Sequence, residues 1–408
     1  MKKLLLSFMI ALFAVPAFAV EFESGDFKAN IYGNIFADAF YTYSSDKFEP
    51  WFSSLRMSDG HHSFGSYAFV GSSNLGLTMS YQNVSGTIEA GLGDPVRKFY
   101  LKYNINGSSD HYVLAGRDNN IAFYNYGQFS NDGQCMIDYG ALANKRRLQF
   151  RYGIKGFEAA IIIPQIGFGS GDDRAYKDSF GYMYNTGEID SEGNAVYAGG
   201  SIDSSDYMFN YLPRLELAYT IAQENFNFKV FGSYGAYMYY NDSASENIDS
   251  FNETAHMFYI GFGGQANIDK SFLNYVGYFG QNMYLNNSQG DYRTGNSGSA
   301  LNPISFINKG GKYTIDIDNV YSAGGSLGYG YNAFDGKLVT QIGVGYSASW
   351  AYKASTDQNI GAFLNTQYFI TDWFSIVPEL AFFENLSNFS GSADGFAIIA
   401  GIVAYLSF

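Results

Sequence analysis

From Phe396 to Phe408 every second residue is apolar: Phe396, Ile398, Ala400, Ile402, Ala404, Leu406 and Phe408. Strict alternation predicts a β-strand with one greasy face. The intervening residues, Ala397, Ile399, Gly401, Val403, Tyr405 and Ser407, are small or mildly amphipathic. Neither face looks like a charged, water-covered surface. The same period runs from Ala29 to Tyr43. Its odd positions are Ala29, Ile31, Gly33, Ile35, Ala37, Ala39, Tyr41 and Tyr43, and its even positions include Asn30, Asn34, Asp38 and Thr42. An acid in the middle of a membrane-length strand belongs in water, so this second face is predicted to line a lumen. A further pattern predicts a single phase from Tyr67 through Leu75 and Leu77 to Tyr81.

A short run at Thr87–Leu92 and further strands centred near Leu101, Leu114, Phe150, Ile161, Leu217, Val230, Ile260, Val276, Leu327, Ile342, Leu364 and Leu380, with the one through Ile402, bring the predicted total to about sixteen. Their connections alternate in length. Short turns fall at Asn83–Gly86, Asn106–Asp110, Gly153–Gly156, Ala222–Asn225, Ile268–Ser271, Asn332–Gly336 and Thr371–Trp373. Long polar stretches separate them: Asp118–Lys145, Pro164–Leu212, Asn241–Ala255, Leu285–Tyr313 and Trp350–Gln358. An all-β transmembrane antiparallel barrel with short turns at one end and long loops at the other has this rhythm, whereas a sandwich or solenoid gives no reason for it. Eighteen strands is the alternative count, if part of the 164–212 stretch pairs as a hairpin.

Composition sharpens this. The chain holds 36 Tyr, 37 Phe and 47 Gly but only 7 Pro, and 15 % of its residues are charged. Aromatic girdles and glycine-tolerant tilted strands produce such a mixture. Met1-Lys2-Lys3, the apolar run Leu4–Val15 and Ala17-Phe18-Ala19 have the form of a cleavable export signal. The expected division is therefore a signal peptide at 1–19 and one barrel domain at 20–408. Cys135 is the only cysteine, so no internal disulfide forms. The net charge of −14 argues against a nucleic-acid partner.

The segment Gly71-Ser72-Ser73-Asn74-Leu75-Gly76-Leu77, the turn after it and Thr87-Ile88-Glu89-Ala90-Gly91-Leu92 resemble the second strand, first periplasmic turn and third strand of the trimeric general-diffusion porins of Gram-negative outer membranes. The closing strand with its terminal Phe408 also resembles those of outer-membrane barrels. That resemblance implies an integral outer-membrane protein among lipid and lipopolysaccharide, a homotrimer, and a terminal aromatic read by the barrel assembly machinery. It also implies that the loop between the fifth and sixth strands folds inward as a constriction. The family's Pro-Glu-Phe-Gly-Gly run is absent from this loop.

On that reading the loop offers Asp118, Asp132 and Asp138, and lumen-phase wall positions offer Lys102, Arg117, Arg147 and Arg151. Acids facing bases would set a transverse field across the narrowest section. The acidic balance points to a mild cation preference. The remaining candidates are bland. Glu188-x-Asp190-x-Glu192-Gly193-Asn194 lacks the ligand order of a calcium loop. Gly310-Gly311-Lys312 is followed by Tyr313, not Ser or Thr. The four histidines accompany no nucleophile elbow. The expectation is a cofactor-free, non-enzymatic porin passing small hydrophilic solutes and ions, with a substrate-selective channel or a plugged adhesin barrel as alternatives.

Overall fold

The computed structural model describes residues 20–45, 61–68, 73–91, 95–124, 139–142, 145–163, 180–189, 195–202, 208–211, 213–241, 249–283, 304–309, 312–351, 355–387, 391, 393 and 395–408. The expected signal segment, Asp132, Cys135 and Asp138 lie outside them.

In chain order the strands are β1 (Val20–Ser24), β2 (Phe27–Ser44), β3 (His62–Ala68), β4 (Asn74–Tyr81), β5 (Val84–Gly91), β6 (Lys98–Asn104), β7 (His111–Asn119), β8 (Arg146–Ile154), β9 (Phe157–Ile162), β10 (Phe180–Ile189), β11 (Ala195–Ile202) and β12 (Met208–Tyr211). They continue with β13 (Arg214–Gln223), β14 (Phe226–Asn241), β15 (Phe251–Ile268), β16 (Ser271–Gln281), β17 (Ile304–Lys309), β18 (Lys312–Ile317), β19 (Tyr321–Ala333), β20 (Leu338–Trp350), β21 (Asp357–Thr371), β22 (Phe374–Ser387) and β23 (Gly395–Ser407). Nineteen of these join one sheet, closed by pairing of β2 with β23 into a sixteen-stave antiparallel barrel. Three staves are composite: β3 and β4 share one side of β2, β23 and β1 share its other side, and β12 and β13 share one side of β14. The 164–212 stretch does contain a hairpin, β10–β11, but it pairs only with itself, as does β17–β18. The count therefore stays at sixteen.

The alternation sorts residues as the pattern predicts. Ile31, Tyr41, Leu101, Leu217, Ile260, Leu327, Ile342, Leu380 and Ile402 are exposed on the outer face, while Asp38, Thr42, Glu89, Gln149, Asn274 and Asn365 are buried on the inner one. Outward aromatics gather towards both ends of the staves. Phe279, Tyr321 and Trp350 stack near the long-loop end, and Tyr81, Tyr103, Tyr219 and Tyr331 stand near the short turns. Such girdles sit at the membrane–water boundaries. At the short turn joining β8 to β9, Lys155 and Gly156 both have positive φ, 48° and 83°. A Cβ on Gly156 would lie 2.3 Å from the Thr220 carbonyl, so glycine is required there.

One phase differs from expectation. Between the pairs Ala37↔Ala68 and Asn34↔Asn74, β2 moves three residues while the facing chain moves six. An odd surplus turns the side chains over. Position 64 thus shares the outer face with Tyr41, whereas Leu75 and Leu77 point outward from the odd positions of β4. The single phase predicted from Tyr67 to Tyr81 does not hold.

The closing seam uses both ends of the described chain. β23 pairs with Asn34–Ser44 of β2, and β1 takes over the same edge from Ile31 to Phe27. Between them Gly33 and Phe408 exchange both backbone hydrogen bonds, 2.8 and 3.0 Å.

Candidate functional site

The β7–β8 connection leaves the wall at a laced neck. The Asn120 N–H donates to the Lys145 carbonyl at 2.8 Å, and the Lys145 N–H donates to Asn120 Oδ1 at 2.9 Å. Gln149 Nε2 donates to the carbonyls of Asp118 and Asn119 at 2.9 and 3.0 Å. From this neck the chain turns inward. The amides of Ile121 and Ala122 donate to Glu216 Oε2 of β13, at 2.8 and 3.2 Å, while Arg214 Nη2 holds Oε1 at 2.8 Å. Glu216 is 0 % exposed. A carboxylate buried that deeply is tolerable because a guanidinium and two amides satisfy it. Tyr259 of β15 then donates to the Ala122 carbonyl at 3.0 Å, and the Tyr124 hydroxyl reaches Asn227 Oδ1 of β14 at 3.4 Å.

The connection is next described from Tyr139, against the far wall. The Tyr139 ring packs 4.6 Å from Phe383 of β22, and its hydroxyl donates to Asn385 Oδ1 at 3.3 Å. Its carbonyl lies 2.0 Å from where a Cβ on Gly345 of β20 would be, and a Cβ on Gly140 would lie 2.2 Å from the Gly325 carbonyl of β19. In a ring of sixteen staves β20 stands opposite β7. The connection therefore spans the bore, as expected of an inward-folded constriction loop. Tyr139 and Ala141 pack with Phe40, Val276, Phe363, Phe383 and Ile399, and Ile121, Ala122 and Leu142 with Ala160, Phe231, Met257 and Tyr259. The barrel's buried apolar side chains thus gather where loop meets wall.

No protein-family model matches the chain, and no curated protein matches it. Among solved structures it is similar to the outer membrane channel DcaP of Acinetobacter baumannii, at 17 % identity and a TM-score of 0.61, covering 95 % of this chain and 99 % of that one. It is also similar to the outer-membrane-expressed OmpT of Vibrio cholerae, at 11 % identity and a TM-score of 0.53, covering 95 % and 100 %. A trimer form of OmpT folded in vitro matches at 13 % identity and a TM-score of 0.50, covering 94 % and 99 %. This is the porin-type barrel fold.

In this porin-type barrel the expected charges divide unevenly. Lys102, Arg147 and Arg151 occupy inward positions, paired in register with Leu114, Asp118 and Leu114 respectively. Arg117 does not. It pairs with Phe99 and Leu148, both exposed on the outer face, so its lumen assignment is corrected. Val113 and Leu114 are adjacent apolar residues that fit either phase, and Leu114 is the one turned inward and buried. Arg117 and Arg146 stand near the long-loop ends of β7 and β8, where an outward charge costs about 0–1 kcal/mol against about 2–4 at the midplane.

Asp118 belongs to β7 rather than to the loop, and its Oδ2 lies 3.2 Å from Arg151 Nη2 on the neighbouring strand. Arg151 Nη1 is also 3.5 Å from Glu158 Oε1, which accepts the Tyr112 hydroxyl at 2.5 Å. These charges neutralise one another along one wall and do not face each other across the bore. Arg147 is on the inner face but 3 % exposed, covered at the loop neck.

Sequence reasoning missed Glu216, whose role depends on a contact 95 residues away. It also missed a second buried carboxylate, Glu89, held by Tyr32 at 2.8 Å, Arg97 at 2.8 Å and Lys98 at 3.5 Å. Glu89 falls in a strictly alternating strand between Ile88 and Ala90, and that inward acid was the available signal.

Proposed function

We propose that the chain is an outer-membrane channel through which small hydrophilic solutes and ions diffuse down their gradients. The observation that carries this reading is the β7–β8 loop pinned from one wall to its opposite, which narrows a barrel of a strand number that otherwise encloses water. Residues 1–19 serve as the cleaved export signal, and Phe408 as a recognition element for the barrel assembly machinery. The short turns lie in the periplasm, and the long loops meet lipopolysaccharide. The working form is a homotrimer, a reading supported by the trimer form of the similarly folded OmpT. No cofactor takes part.

Single-channel recording in planar bilayers tests this. A large ohmic conductance that does not saturate is the expected result. A small, saturable one would assign a substrate-selective channel, and no conductance from correctly folded protein would overturn the reading.

A further inference from the structure

The register leaves two guanidiniums on the outside of the barrel. Arg117 of β7 pairs with exposed Phe99 and Leu148, and Arg146, two residues before Leu148 on β8, shares its outward phase. Among the described residues they are the only Lys or Arg side chains turned outward from the staves. Those elsewhere in the staves stand on inward positions, and Lys155, Lys270 and Lys337 stand on the short turns. Arg146 opens β8 and Arg117 stands two residues before the end of β7, so both crown the long-loop end. Diagonal neighbours on adjacent strands lie about 7–8 Å apart, near enough for two long side chains to meet on one tetrahedral anion. Below them the outward face of β7 forms a furrow. Ala115 lies between exposed Leu101 and Phe150, and Val113 between exposed Tyr103 and Tyr152. From Arg117 to Val113 the furrow runs about 13 Å at the rise of a strand, within one leaflet of a hydrocarbon core about 30 Å thick. Its ridges stand about 4.8 Å to either side of β7, which leaves room for a single hydrocarbon chain. The far end is closed where His111 Nε2 meets the Tyr152 hydroxyl at 3.1 Å.

We infer that the β7 furrow and its arginine crown seat one phosphorylated glycolipid of the outer leaflet. A phosphate lies between Arg117 and Arg146, and an acyl chain runs down over Ala115 and Val113. The inference rests on the outer-membrane reading above, with the long loops outward. An outward cation is tolerated only near the ends of a stave, and at that level the membrane supplies phosphate as its counter-charge. Arginine suits the task better than lysine. Its planar fork matches phosphate oxygens bidentately and is weakly hydrated, so it binds where water is scarce. Its aliphatic stem can lie along apolar neighbours, here Phe99 and Leu148, while the guanidinium reaches the headgroup level. A free anion would use the crown alone and leave the furrow without a purpose. A headgroup with an attached chain uses both, because the crown stands at the upper end of the furrow on the same strand.

The experiment compares wild type, Arg117→Gln/Arg146→Gln, Ala115→Phe and Lys270→Gln/Lys337→Gln, each purified in neutral detergent and titrated with rough lipopolysaccharide. Native mass spectrometry reads the bound glycolipid. Lys270 and Lys337 are exposed on short turns and control for the loss of two charges. Apparent affinity should fall about tenfold or more in the arginine variant, which loses charge-assisted hydrogen bonds, and stay unchanged in the lysine control. It should also fall in Ala115→Phe, which keeps both guanidiniums and fills the furrow. Phosphatase-treated glycolipid should bind wild type no better than intact glycolipid binds the arginine variant, and equimolar inorganic phosphate should displace none. Equal affinity of wild type and the arginine variant would overturn the seat. Unchanged binding by Ala115→Phe would overturn the furrow, and displacement by inorganic phosphate would make the crown a free-anion site instead. An altered oligomeric state with glycolipid binding intact would make this face a contact between copies, against the inference. Labelling of Ser108→Cys from outside intact cells would defeat the orientation reading, and the outer-leaflet seat with it, whatever the binding in detergent.

Discussion

Glu216 Oε2 accepts the backbone N–H of Ile121 at 2.8 Å, fastening the first leg of the inward loop to a stave 95 residues further along the chain. Removing that carboxylate leaves the two buried amides of Ile121 and Ala122 without their acceptor. Each orphaned amide costs about 1–3 kcal/mol, more than a loop leg held by a few contacts can absorb in place. The barrel's own ladders do not depend on it. Glu216→Ala should therefore release the leg while the barrel stays folded, giving a larger and noisier single-channel conductance. Unchanged conductance and current noise in folded Glu216→Ala would show that the tether does not hold the constriction.

The second leg is fastened by closeness instead of charge. A Cβ on Gly345 would stand 2.0 Å from the Tyr139 carbonyl, a backbone atom that cannot swing aside as a side chain can. Gly345→Ala is expected to push Tyr139 off the far wall and weaken its contacts with Phe383 and Asn385. Gly232→Ala is the comparison, because there the nearest atom to the added Cβ is 3.3 Å away. Conductance should rise in the first variant alone. Equal conductance in both would contradict the packing described.

Gly33 and Phe408 close the seam by exchanging both backbone hydrogen bonds. Deleting Phe408 removes that pair of bonds and an interfacial aromatic anchor at once. The control needs an exposed aromatic. Phe251, a natural choice from its place in a polar stretch, is unsuitable: it opens β15 and is 7 % exposed. Phe334, on the β19–β20 turn, is 73 % exposed. Deletion of Phe408 should lower the yield of heat-modifiable barrel strongly, and Phe334→Ala should not. Similar yields for the two would remove any special role for the seam.

The staves were legible in the sequence because a membrane-facing strand must alternate, and the thirteen predicted centres from Leu101 to Ile402 all fall inside strands. The break between β3 and β4 was not legible. A three-residue surplus leaves the apolar spacing looking continuous while inverting its meaning. Arg117 was misassigned for a related reason, since the adjacent Val113 and Leu114 support either phase. The loop's inward path came only from resemblance. Its anchors, Glu216, Tyr259, Gly345 and Asn385, are long-range contacts that no local pattern encodes.

The orientation of the barrel in the cell can be checked from its turns. With Cys135→Ser as background, single cysteines at Ser108, Asn225 and Asp372 should resist an impermeant thiol reagent in intact cells and react after permeabilisation. Cysteines at Asp178, Asp242 and Asp291, in the long connections outside the described residues, should react from outside. Labelling at Ser108 in intact cells would invert the assignment of the two ends.

Arg117 and Arg151 provide the sharpest contrast between outer and inner faces. They lie on neighbouring strands, yet the register puts Arg117 beside outward Phe99 and Leu148 and Arg151 beside inward Leu114 and Ala160. Arg151 bridges Asp118 and Glu158 at 3.2 and 3.5 Å. Arg151→Gln therefore leaves two carboxylates facing the bore without their shared cation, a local change that low-dielectric walls transmit to passing ions. Arg117→Gln removes the same formal charge on the lipid side of the wall, where the bore's water does not reach. The reversal potential under a KCl gradient should move towards cations in Arg151→Gln and remain at the wild-type value in Arg117→Gln. A shift of the same size in both would mean that the two guanidiniums feel the same aqueous path, and the outward placement of Arg117 would then be wrong.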